Sequence, residues 1–178
     1  MILLVIDTQK LLMNEKLCGF ERFVHHIQAL IATARENSVE VVYVRHDDGP
    51  GAALTKGTAG YEIYEGFQPV AGEKIFDKTV NSAFKESGLL EYLQQKGETN
   101  LIVSGLQTDY CIDATIKCGF EHGFQIFVPH GANTTVDNEF LSGEKCCRYY
   151  NEMIWNGRYA VCLPMEEVLK KLAAQKIG

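Results

Sequence analysis

No run of 18 apolar residues occurs in the 178-residue chain, which argues against a membrane-spanning helix and for a soluble protein. Lys and Arg are too scattered to form the basic patch that nucleic-acid binding needs, and the formal net charge is −6. There is no Cys-x-x-Cys pair, and Cys146-Cys147 are adjacent, which suits neither an ordinary disulfide nor half of a tetrahedral zinc site. No Gly-x-Gly-x-x-Gly follows a candidate strand, so a dinucleotide cofactor is not expected. Repeats, low-complexity tracts and linkers are also missing, and the length fits one domain over 1–178 with its own core. The opening Ile2-Leu-Leu-Val-Ile6 is too short for the apolar core of a secretory leader, has no basic residues before it and runs into Asp7. A cytoplasmic location is therefore expected, with the six cysteines as thiols.

What is present is a regular alternation of strand and helix. Apolar runs at 2–6, 39–45, 74–77, 101–104, 124–128 and 158–163 read as six strands. Between and after them, helical periodicity or capping signals mark 20–37, 87–96, a segment from Asp109 to Gly119 or Gly123, 138–155, and a last helix from Pro164. Such alternation implies a three-layer α/β/α fold with a parallel sheet covered on both faces. From 46 to 72 the chain is Gly-rich, carries Tyr61, Tyr64 and Phe67, and has no sustained period. A connection that long is expected to act as a lid or substrate loop.

The most informative stretch is Leu101-Ile-Val-Ser-Gly-Leu-Gln-Thr-Asp-Tyr-Cys111, where a strand turns into a helix. Gly105 gives the turn its backbone freedom, Thr108 or Asp109 can cap the helix, and Cys111 falls in the first helical turn. Unpaired N–H groups and the positive end of the helix dipole are expected to favour a thiolate there, and to receive an oxyanion. Asp7 and Lys78 also stand at strand ends, so an acid, a base and a thiol share one rim of the sheet, where open α/β sheets bind ligands.

These residues resemble the isochorismatase-like cysteine hydrolases, a family that includes nicotinamidases, N-carbamoylsarcosine amidohydrolases and isochorismatases. The matching pieces are Asp7-Thr-Gln9 after the first strand, Lys78-x-x-x-Ser-Ala-Phe84, and Val103-Ser-Gly-Leu-Gln-Thr-Asp-Tyr-Cys-Ile112 with Thr115 one turn on. The resemblance implies a six-stranded sheet in the order 3-2-1-4-5-6 and a catalytic triad of Asp7, Lys78 and Cys111. It also implies a cis peptide at Leu106–Gln107, an oxyanion hole from the Gln107 and Cys111 N–H groups, and a homo-oligomer, dimer or tetramer. The reaction implied is hydrolysis of a small-molecule amide, ureide or carbamoyl compound through a thioester. The residues expected to meet substrate are Gln9, Leu12, Tyr110, Tyr61 and Phe67.

Departures from the pattern narrow the expectation. Nicotinamidases hold a metal with an Asp-x-His pair and a further histidine after the second strand; here His46-Asp47-Asp48 stands there and the next histidine is His122, so neither metal nor cofactor is expected. Lys10 and Leu12 replace residues that are often Asn and Phe in the family, removing one aromatic wall. Isochorismatases proper lack the cysteine nucleophile, which disfavours a vinyl-ether substrate. His130-Gly131 stands where Asp-Ala is usual, making His130 an alternative base in a Cys–His dyad, whereas His25 and His26 read as surface residues. Two other classes compete: a non-catalytic binding or scaffold protein on the same fold, and a thiol redox protein, the latter without a resolving cysteine close in sequence.

Overall fold

Every residue of β1 (Ile2–Ile6) is buried, because five consecutive apolar side chains can all leave water only in the middle of a sheet covered on both faces. The computed structural model describes residues 1–177. Beside β1 lie β2 (Glu40–His46) and β4 (Asn100–Leu106), followed outward by β3 (Lys74–Lys78) on one side and β5 (Gln125–Pro129) and β7 (Val161–Leu163) on the other. All these pairs are parallel, with Ile6 opposite both Val44 and Gly105, and His46 opposite Lys78. The expected order is thus met, with one addition: the two-residue β6 (Asn133–Thr134) pairs the end of β4.

Side chains on alternate positions of the strands form two separate cores. Leu3, Val5, Val41, Tyr43 and Ile102 pack under α1 (Phe20–Glu36) and α5 (Met165–Ala173); α1 contributes Phe23, Ile27, Leu30, Ile31 and Ala34, a stripe at helical spacing. Leu4, Ile6, Val42, Val44, Leu101 and Val103 pack on the other face under α2 (Leu89–Gln95), α3 (Asp113–Glu121) and Trp155. The helix expected over 138–155 is shorter at its start. Asn138 Oδ1 accepts from the N–H groups of Phe140 and Leu141, an Asx turn that competes with helix, so α4 runs Gly143–Tyr149 and widens to a π-helical segment over Tyr150–Trp155.

The chain runs from β1 outward to β3 and then returns to β4 on the other side of β1, so the strand order reverses between β1 and β4. Gly105 holds this crevice together. At φ 125 it brings β4 so close to β1 that an added Cβ would lie 2.0 Å from the Ile6 carbonyl oxygen. Backbone cannot yield there as a flexible side chain would, and the φ alone is strained for an L residue. Gly105→Ala is therefore expected to cost about 3 kcal/mol or more. At roughly 2–4 °C per kcal/mol, thermal denaturation would detect this readily, and an unchanged melting point would contradict the close approach.

The 46–72 loop is sewn to the chain after β1 rather than hanging free. Tyr64 N–H donates to Thr8 O, Lys10 N–H to Glu62 O and Leu11 N–H to Gly60 O, and Asp47 Oδ1 accepts from Gly49 N–H and Thr55 Oγ1. No helix among the described residues is long and apolar enough to cross a membrane.

Candidate active site

Asp7 follows the last residue of β1, donates its N–H to the Val44 carbonyl at 2.8 Å and adopts φ 54. Left-handed backbone is strained for most residues but is tolerated best by Asp and Asn, whose short side chains bond locally. The twist aims a carboxyl that is 1 % exposed into the crevice. Lys78 ends β3, two strands from β1, and its stem crosses the end of β2 to put Nζ 2.7 Å from Asp7 Oδ2, with both side chains almost wholly out of water. The other Asp7 oxygen, Oδ1, is buried without a conventional hydrogen bond.

Cys111 arrives from β4 through a π-helical turn over Thr108–Ile112, closed by Ile112 N–H donating to Gln107 O at 3.1 Å, and α3 follows. Such wide turns recur at functional sites. Thr108 and Asp109 do not cap the helix as the sequence suggested: Thr108 Oγ1 donates to Asn133 Oδ1, and Asp109 Oδ1 accepts from Thr135 Oγ1, which staples the turn to the segment around β6. The expected cis bond is not there either. Among the described residues every peptide bond is trans, and the change of direction is made by Gly105 with the π-helical turn, leaving Gln107 extended at φ −92, ψ 149. The Cys111 sulfur lies 3.2 Å from Lys78 Nζ and 3.8 Å from Asn81 Oδ1.

The three groups foreseen at the rim therefore meet around one ammonium. His46, at the end of β2, joins them with Nδ1 2.9 Å from Lys78 Nζ. Atoms of Asp7, His46 and Cys111 lie within 4.8 Å of one another, a cluster that could hold a metal ion. The shared centre is taken by the Lys78 ammonium, which offers its donors to all three.

Burial decides the protonation. Loss of solvation raises the Cys111 thiol to about 12, the Asp7 charge adds to the rise, and Lys78 opposes it. Burial thus works against the thiolate that the helix terminus was expected to favour. Burial also raises the Asp7 carboxyl above its ordinary value, against the lowering influence of Lys78. A more basic carboxylate next to a protonated thiol is suited to taking the thiol proton.

The residues expected to meet substrate divide. Tyr110 is 56 % exposed beside Cys111, and Leu12 is half-buried. Gln9 is fully buried, with its amide filled by the main chain of His46: Nε2 donates to His46 O at 2.9 Å and Oε1 accepts from His46 N–H at 2.8 Å. Tyr61 lies under the Arg45 guanidinium, 4.4 Å from its ring centre, and Phe67 packs edge-on against Phe23. These two aromatics anchor the 46–72 loop in the core, where burying a large apolar surface is favoured over lining a wet pocket. His130 is exposed and lines a cavity of about 480 Å³ with Arg22, His26 and Arg148, a cavity that none of Asp7, Lys78 and Cys111 lines. Reasoning from sequence names His46 but leaves its part in the site open; its place opposite Lys78 at a strand end was the available signal.

Residues 1–143 match the isochorismatase domain model. A streptothricin hydrolase of Streptomyces noursei is 31% identical over 137 residues, covering 76% of this chain and 50% of the relative, so the chain spans about half the length of that protein. Nicotinamidase 3 of Arabidopsis thaliana is 30% identical over 151 residues, covering 77% of this chain and 74% of the relative. An isochorismatase-family structure from Chromobacterium violaceum shares the fold with a TM-score of 0.88 at 22% identity, covering 97% of this chain and 93% of the other. With the family model matching most of the chain around the buried Asp7–Lys78 pair and the adjoining Cys111, the chain belongs to the isochorismatase family.

Proposed function

We propose that the protein is a cysteine-dependent hydrolase of a small amide, ureide or carbamoyl compound, working through a thioester on Cys111. The observation that carries this reading is the Lys78 ammonium, buried in contact with both the Asp7 carboxylate and the Cys111 sulfur. In the first half-reaction Asp7 takes the thiol proton while the sulfur attacks the carbonyl carbon, and Lys78 balances the charge as it passes from carboxylate to thiolate. The oxyanion faces the main-chain N–H groups of Gln107 and Cys111. The C–N bond then breaks, with the Asp7 proton going to the leaving nitrogen. In the second half Asp7 removes a proton from water, the resulting hydroxide attacks the thioester, and the expelled sulfur regains that proton. Names of relatives ending in hydrolase and nicotinamidase support this class of chemistry.

Substrate contacts are assigned to Tyr110 and Leu12, the expected residues that face outward. The proposal includes a cytoplasmic dimer or tetramer, for which exposed Phe140, Tyr149 and Met153 offer apolar surface. A screen of small amides, ureides and carbamoyl compounds by ammonia release, with Cys111→Ala as control, tests the reading. Release that persists undiminished in the control would defeat it.

Two expected results follow from the same geometry. Because Asp7 must be ionised to act as base and its carboxyl is raised, kcat/KM should fall as the pH drops through a value above the ordinary 3.8. A pH–rate profile flat to pH 4 would rule out Asp7 as the base. Turnover should also survive dialysis against a chelator, since the three residues a metal would use already surround the Lys78 ammonium. Nicotinamide should not be the preferred substrate, because the contact that Leu12 does not supply to an aromatic ring is worth about 1–3 kcal/mol, or about 10–200-fold. Bound metal whose removal abolishes activity, or nicotinamide emerging as the best amide, would show otherwise.

A further inference from the structure

An ammonium has three N–H bonds, and Lys78 directs one to each of three acceptors: Asp7 Oδ2 at 2.7 Å, His46 Nδ1 at 2.9 Å and Cys111 Sγ at 3.2 Å. Since an ammonium only donates, Nδ1 must be the lone-pair nitrogen of the ring. That leaves the ring proton on Nε2, which lies 3.1 Å from Asp48 Oδ1. The histidine itself cannot drift. Its main-chain N–H and C=O are both held by the Gln9 amide, its side chain is 17 % exposed, and its strand lies between those carrying Asp7 and Lys78. Without it, a flexible four-carbon stem reaching across the end of β2 would be held near the sulfur only by Asp7, the group that must change charge during the reaction.

We infer that His46 is a positioning residue, whose Nδ1 takes the third N–H of Lys78 and so fixes the ammonium where it touches Asp7 and Cys111 together, with Asp48 setting the ring tautomer. The inference rests on the Cys111 hydrolase reading for its functional meaning, but it can be examined in the resting protein. Asn places an amide oxygen about where Nδ1 lies, whereas Gln places one about where Nε2 lies, so His46→Asn keeps an acceptor for Lys78 and His46→Gln does not.

The test is the rate at which iodoacetamide alkylates Cys111 at pH 8.5, mapped by mass spectrometry, in the wild type, His46→Asn, His46→Gln and His46→Ala proteins. Losing a hydrogen bond to a charged group should slow His46→Gln and His46→Ala by about tenfold or more, while His46→Asn stays within about threefold of wild type. Long-range ¹H–¹⁵N spectra of the wild type should show the Nε2–H tautomer of His46. An Nδ1–H tautomer, equal loss in all three variants, or no loss in any of them would overturn the inference. Should the alkylation pattern hold while the wild type hydrolyses none of the compounds screened, the positioning role stands and the hydrolase reading falls.

Discussion

Asp7→Asn is expected to lower turnover by at least about 10²-fold while making Cys111 react faster with iodoacetamide, two effects of opposite sign from one substitution. Turnover falls because the amide cannot accept the thiol proton or return it to the leaving nitrogen. Reactivity rises because the Asp7 charge is one of the causes holding the thiol up at about 12, while Lys78, which pulls it down, remains in place. Each unit of fall in the thiol pKa gives about tenfold more thiolate at a fixed pH, so a gain on the order of tenfold in alkylation at pH 7 is the expected scale. Asn tolerates the left-handed backbone of position 7 nearly as well as Asp and keeps the N–H bond to Val44, so the variant should fold. Slower alkylation together with intact turnover would mean that Asp7 is not the proton acceptor.

Lys78→Met should abolish activity to a similar degree and should also weaken the fold in a pH-dependent way. Removing one member of a buried pair leaves the other charge uncompensated, at a cost of about 3–5 kcal/mol. The sign follows from Asp7. Its folded-state carboxyl is already raised above its ordinary value by burial, and losing Lys78 removes the largest lowering influence. A carboxyl raised in the folded state favours folding when protonated, so the variant should be closest to wild type in stability near or below pH 3.8 and lose ground as the pH rises above it. At neutral pH the melting temperature should fall by on the order of 10 °C. Asp7→Asn combined with Lys78→Met should recover much of that loss, because no buried charge is then left alone. A pH-independent deficit, or no recovery in the double variant, would contradict the coupling of the two groups.

The parts of the site that could be read from sequence are those fixed by connectivity. Asp7, Lys78 and Cys111 each end or follow a strand, and parallel strands deliver such residues to the same edge whatever the details of packing. The strand order came with the family resemblance, and only β6 was added, a two-residue pairing too short to leave a pattern. What could not be read depends on which way a side chain turns. Gln9 follows β1 as the family motif does, yet it points inward to hold the main chain of His46. Tyr61 and Phe67 carry no period because a loop has none, and whether an aromatic in it faces core or crevice is decided by the sheet and α1 beneath. The thiol's environment was legible only in part: a helix terminus can be read from the sequence, whereas the burial and the nearby Asp7 charge that raise the Cys111 thiol depend on the folded packing. Whether His46 joins the site stays open on sequence alone, because nothing in its own sequence neighbourhood reveals its contact with Lys78.

The formation of a thioester at Cys111 is tested most directly by acid-quenching the protein within its first turnovers on the best amide of the screen and weighing the Cys111 peptide. The proposed chemistry predicts a mass increase equal to the acyl group of that substrate, on Cys111 and on no other cysteine, and none in Cys111→Ala, whose turnover is lost. Substrate consumed with no adduct on Cys111, together with turnover in Cys111→Ala within tenfold of wild type, would contradict it.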